Sequence, residues 1–225
     1  MLRIAKLIAA KDLRIEGRSR IVTNQVLPFA AIVMVMFAFA LNSDSVVERV
    51  APGLIWLATL FSLLILVQRS FAIETADGAT DAMRAAGVDA AGIFLGKSLA
   101  LAAQLAVLEA VLLATAFVLY RADFRAGGVV LLVTTFVAAT CGLALVGTLY
   151  GGLAAGVRGR ETLLPLLLLP VVAPVLIGAT RATEAALGTG GAVVSDGWPW
   201  LGLLTVFVAL FGVGGTMAFG ALIEE

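Results

Sequence analysis

The 225 residues carry 15 lysines and arginines against 15 aspartates and glutamates, so net charge is zero and nothing in it points to a nucleic-acid partner. Apolar residues make up 61% and charged ones 13%, with a mean hydropathy of +1.09, which a soluble core cannot absorb, so the bilayer takes the place of solvent. There is no histidine, which removes the commonest metal ligand, general base and haem axial ligand, and the one cysteine, Cys141, excludes a disulfide framework and a metal-spaced pair.

In chain order, residues 1–20 predict an amphipathic helix. Arg3, Lys11, Arg14 and Arg18 share one face at 100° per residue, while Met1, Ala5, Ile8 and Ala9 lie broadly opposite. Such a segment lies along a membrane surface, and it is too long and too charged for the n-region of a signal peptide. Apolar stretches long enough to cross about 30 Å of hydrocarbon follow at residues 22–41, 51–73, 98–120, 128–155, 163–180 and 199–222. They are continuously apolar and do not alternate, which selects helices over barrel strands. The expected fold is therefore an all-α polytopic membrane protein with about six transmembrane helices and an N-terminal interfacial helix, forming one integral domain over 1–225.

Basic residues orient the spans. Arg3, Lys6, Lys11, Arg14, Arg18, Arg20, Arg69, Arg84, Lys97, Arg158 and Arg160 fall on one side, and only Arg49, Arg121, Arg125 and Arg181 on the other. The positive-inside rule puts both termini and the 74–97 loop in the cytoplasm.

That loop is the most informative polar segment. Glu74, Asp77 and Asp81 fall within a narrow arc of a helix, Asp77 is placed to N-cap a turn that begins at Gly78, and Gly87 is placed to end it. Met83 and Arg84 lie within the same short helix. A charged, capped helix between two spans is either a lever for a cytosolic partner or a solvated loop.

The string Gly92 to Ser98, GIFLGKS, does not make a phosphate-cradling loop: the first glycine would have to stand at Ala91, no strand precedes it and a membrane helix follows. Any ATP is therefore bound by another polypeptide. Within the third span, Gln104 and Glu109 are the intramembrane polar residues; Glu109 is read either as a point on a pathway or as a carboxyl hydrogen-bonded to a neighbouring helix. Gly147, Gly151, Gly152 and Gly156 make overlapping small-xxx-small patterns for close helix packing. Pro165, Pro170 and Pro174 each remove a backbone donor from the fifth span and predict a kink, either a hinge or a fixed shape.

These segments resemble a known family, CcmB, the membrane subunit of the cytochrome c maturation system. Arg49 to Phe71, RVAPGLIWLATLFSLLILVQRSF, is similar to the family's second span. The loop from Glu74 through DGATDAM to Lys97 is similar to its charged coupling segment, although Thr80-Asp81 stands where the family often has Leu-Glu. Leu163 to Thr180 is similar to its proline-punctuated fifth span.

The resemblance implies an ABC-transporter permease subunit with no catalytic site, no metal and no directly bound cofactor. ATP would be bound by a separate ATPase, CcmA, and haem handled by partner subunits: CcmC and the haem chaperone CcmE. Membrane lipid and a second copy of the chain complete the expected partners, in the bacterial inner membrane. Glu74, Asp77, Gly78, Asp81, Met83 and Arg84 would couple to the ATPase. The chain would drive haem export or release of the haem-loaded chaperone; the alternative is an ABC-2-type exporter permease for another solute or lipid.

Overall fold

The computed structural model describes residues 1–41, 43–76, 78–119, 126–155 and 160–224, and among these there is no β-strand. Eight α-helices follow one another: α1 (Leu2–Ser19), α2 (Leu27–Ala40), α3 (Asp44–Ala76), α4 (Ala79–Ala85), α5 (Ala90–Leu119), α6 (Val129–Ala155), α7 (Arg160–Leu187) and α8 (Trp198–Glu224). A π-helical turn, Val22–Val26, leads into α2, and short 3-10 turns precede α6 and join α7 to α8.

Six stretches among the described residues are long and apolar enough to span a membrane: Val22–Ala40, Val46–Glu74, Ala90–Leu119, Val129–Ala155, Thr162–Leu187 and Val194–Ala221. They coincide with the six predicted spans, but several run further. Most of the predicted 42–50 loop is the first part of α3, and the predicted 181–198 loop loses Arg181 to Leu187 to α7. Hydropathy marks where apolar residues stop, whereas a helix goes on wherever polar residues support it, as the Arg181–Glu184 pair does at 2.9 Å, one turn apart. At 1.5 Å per residue α3 is about 50 Å long, more than the hydrocarbon needs.

The core lies where α3, α5, α6 and α7 meet, with Trp56, Phe94, Leu105, Leu108 and Leu143 buried. Trp56 Nε1 on α3 donates to Thr183 Oγ1 on α7 at 3.0 Å, and its ring packs on Phe136 of α6 at 4.9 Å between centroids. Phe39, Val118, Val206 and Met217 point outward from α2, α5 and α8 and stay exposed, as they must in a bundle whose surroundings are as apolar as its interior.

Small residues set the distances between helices. A Cβ on Gly147 would stand 2.9 Å from Val67 Cγ2, and one on Gly151 would stand 2.5 Å from Phe71 Cε2, both on α3. Gly152 turns the other way, with Phe219 Cε2 of α8 at 2.6 Å from such a Cβ. Gly156 lies outside the described residues. Pro165, Pro170 and Pro174 all sit inside α7, which continues through them from Arg160 to Leu187.

Candidate functional site

At one end of the bundle α1 lies against the start of α5, and the reason is written in the GIFLGKS string. A Cβ on Gly92 would stand 2.8 Å from Ile4 Cγ2, and one on Gly96 2.6 Å from both the Ala5 carbonyl oxygen and Ile8 Cβ. These glycines let α1 approach the α5 backbone. Ala5, Ile8 and Ala9 are buried there, the face predicted to be apolar, and Asp12 continues it by one turn. α1 ends at Arg20, whose φ of 52° is left-handed and whose N–H donates to Glu16 O at 2.7 Å. The Glu16 carboxylate then accepts the Val22 N–H at 2.6 Å, which satisfies a donor at the entry to the first span.

Below the glycines four charges meet. Lys97 of α5 is 3% exposed, Glu74 of α3 4% and Asp12 of α1 9%. Lys97 Nζ lies 2.9 Å from Glu74 Oε2 and 3.4 Å from Asp12 Oδ2, donates to Ser70 Oγ at 3.2 Å, and sits 4.6 Å from the Phe71 ring centroid. Lys11 bonds Glu74 Oε1 and reaches Asp12 Oδ1 at 3.0 Å. Two cations and two carboxylates make a neutral cluster, the condition under which charges can be buried. It joins α1, α3 and α5, three elements far apart in sequence.

Glu74 therefore departs from its predicted place. α3 continues to Ala76, so Glu74 belongs to that helix, faces inward and is not on the exposed segment. Gly78 precedes α4 with a φ of 63°, outside the helix it was predicted to begin, and its carbonyl accepts the Ala82 N–H at 3.1 Å. The other end closes as a Schellman turn: Gly87 has a φ of 64°, and the Val88 N–H reaches back to Met83 O at 3.1 Å. Met83 and Val88 are half-buried and pack on the core, so Met83 holds α4 down and is not a free apolar contact. Asp77 lies outside the described residues, as do the side chains of Asp81 and Arg84.

Gln104 and Glu109, both in the third span, face apart. Gln104 lines a crevice of about 40 Å³ with Asp12, Ser70 and Glu74, while Glu109 points to α6, where Thr140 Oγ1 donates to its Oε2. Five residues at about 100° each leave two side chains about 140° apart around the helix, on well-separated faces. Glu109 is 2% exposed, and its Oε1 has no hydrogen-bond partner among the described residues. Sequence reading missed the charge cluster. Its signal was Asp12, an acid on the apolar stripe of α1, and Lys97, a base at the start of a membrane helix: each required a buried partner.

The CcmB protein family profile matches residues 3–224. The chain belongs to the CcmB family. Among its CcmB relatives, Heme exporter protein B of Pseudomonas aeruginosa is 30% identical over 208 residues, 91% of each chain. Heme exporter protein B of Rhodobacter capsulatus is 29% identical over 183 residues, covering 80% of this chain and 83% of its own. That of Paracoccus denitrificans is 29% identical over 185 residues, 81% and 84%. Since the CcmB match begins at residue 3 and ends at 224, α1, the charge cluster, α4 and the Glu109 helix all fall within it.

Proposed function

We propose that this chain is the membrane subunit of a haem exporter acting in cytochrome c maturation, and that it converts ATP hydrolysis on a separate ABC ATPase into movement of its helices. The observation that carries this reading is the CcmB match over residues 3–224, together with relatives that bear the name Heme exporter protein B. The basic residues gathered on α1, at the end of α3 and at the start of α5 support a reading in which that end, and both termini, face the cytoplasm of a bacterial inner membrane. ATP belongs to the ATPase, CcmA, and haem is cargo shared with CcmC and the chaperone CcmE.

Geometry supports a lever. α4 lies between α3 and α5, and the Glu74–Lys97 pair ties those two helices beside it, so a push on α4 reaches both spans and, through Asp12, α1. The test is to inactivate the ATPase by replacing its phosphate-binding lysine, then to measure holocytochrome c and haem on the outer-face chaperone. Holocytochrome c is expected to be lost. Normal yield would overturn the reading. Haem that still loads the chaperone while holocytochrome c fails would assign this chain to chaperone release and not to haem passage.

A further inference from the structure

Between α5 and α6 a groove of about 440 Å³ opens toward the surroundings of the bundle, and its base holds Glu109, Thr140 and Cys141. Its walls are otherwise apolar, and its rims, Leu99 on α5 and Val137 on α6, are exposed. From Leu99 to Leu113 the α5 wall runs about 21 Å at 1.5 Å per residue, four turns of a helix. Ala102, Ala106 and Ala110 line it at four-residue intervals, the spacing that presents one small face to a neighbouring backbone. Among the described residues nothing occupies that face.

Glu109 adds an independent indication. Thr140 has one hydroxyl hydrogen and two acceptors within reach, Phe136 O at 2.6 Å and Glu109 Oε2, so the carboxyl shares even that donor. Glu109 Oε1 is buried without a partner, in a side chain that lines the groove. A buried acceptor left unmatched is costly, and hydrocarbon offers no donor to match it. Lys97 lies about 18 Å away along α5, too far to serve.

We infer that the α5/α6 groove receives a transmembrane helix of a different polypeptide, which presents a hydrogen-bond donor side chain to Glu109. The length and the alanine spacing fit a helix, and the orphaned oxygen defines what that helix carries at mid-depth. A second copy is the competing occupant: a two-fold contact would need a donor-bearing helix beside the groove that fits it, and a head-to-tail contact a rotation that closes the ring. The inference rests on the groove residues alone, so its failure leaves the haem-exporter reading intact.

Photo-crosslinking residues at Leu99 and Val137, one on each rim, test it in membranes of the native bacterium, with Met217 on α8 as an exposed control. The expected adduct is with a transmembrane segment of a different polypeptide, mapped by mass spectrometry to within one turn of a donor side chain. Glu109→Leu should lower its yield about threefold to tenfold, as loss of one interhelical hydrogen bond would, and Glu109→Gln should keep most of it. Ala106→Leu fills the groove without touching the carboxyl and should also abolish the adduct, which protects the test should Glu109→Leu fail to insert. Adducts with lipid alone, with a second copy of this chain, or with a helix lacking a donor would overturn the inference, as would a yield indifferent to both substitutions.

Discussion

Lys97 Nζ lies 2.9 Å from Glu74 Oε2, a buried ion pair that joins the start of α5 to the end of α3. Lys97→Met leaves the Glu74 and Asp12 carboxylates with Lys11 as their only cation in the cluster. Breaking one side of a buried pair costs about 3–5 kcal/mol, because the other charge remains desolvated. The expected result is a large fall in thermal stability in detergent, followed by tryptophan fluorescence, with much of it recovered in Lys97→Met/Glu74→Met. A single variant as stable as the parent would show that the cluster contributes nothing.

Lys11 makes the same cluster sensitive to pH. Burial by itself lowers its pKa, but the hydrogen bond to Glu74 and the Asp12 and Glu74 charges outweigh burial and raise it above its ordinary 10.5. A group whose pKa rises on folding stabilises fully below the ordinary value and loses that contribution as pH climbs through the raised one. α1 should therefore loosen above pH 10.5. Labelling of Ile8→Cys in a Cys141→Ser background reads this: Lys11→Arg, which keeps its charge, should be protected at alkaline pH where the Lys11 protein is not. Equal labelling of the two at each pH would refute it.

Gly96 decides whether α1 can seat at all. A Cβ there meets the Ala5 carbonyl oxygen at 2.6 Å, and backbone cannot yield as a flexible side-chain tip can. Gly96→Ala should cost about 1–3 kcal/mol, the range for overpacking, and should expose Ile8→Cys to labelling. Gly214→Ala, with nothing within 4 Å of its Cβ, is the matched control and should be silent. Comparable effects at the two positions would mean that helix propensity alone is being measured.

How much was legible follows from which forces act along the chain and which across it. The six spans and the buried stripe Ala5, Ile8, Ala9 were legible because hydropathy and 3.6-residue periodicity are local properties. Spacing excluded the phosphate loop at Gly92 to Ser98, but spacing holds no record of Ile4 and Ile8, which lie across a helix crossing. Glu74 was misplaced because charge near an apolar boundary reads as loop, whereas Lys97, 23 positions on, supplies the partner that lets it continue as buried helix. Met83, expected to couple to the ATPase, packs on the core instead, because a seven-residue helix has too few positions to show which face packs.

The Trp56–Thr183 hydrogen bond is a polar tie between α3 and α7 inside the core. Trp56→Phe leaves the Thr183 hydroxyl with its bond to Ala179 O at 2.7 Å, so it loses one hydrogen bond and some packing on Phe136. Thr183→Val is the harsher change for its size, since it strands the indole N–H in a dry core at about 1–3 kcal/mol. A double-mutant cycle by thermal unfolding should show a coupling of about 1 kcal/mol. Strict additivity would mean that the two residues do not interact in the folded protein.

α4 yields the sharpest functional expectation, because the packing of Met83 on the core separates its role from that of the acidic residues near it in the sequence. Met83 is half-buried and holds the helix to the core, so Met83→Ala should lower stability and change coupling only indirectly. The acidic residues Asp77 and Asp81 are the ones to offer charge-assisted contacts to basic residues of the ATPase. A surface pair is worth at most about 1 kcal/mol, so a single substitution is expected to be nearly silent. Asp77→Ala with Asp81→Ala together should reduce co-purification of the ATPase about tenfold, the consequence of losing somewhat more than 1 kcal/mol. Membrane insertion and thermal stability should stay unchanged, and holocytochrome yield at matched protein level should fall with ATPase binding. If binding and yield both stay normal, α4 is a solvated connection, and the push must enter through α1 or through residues 158–161.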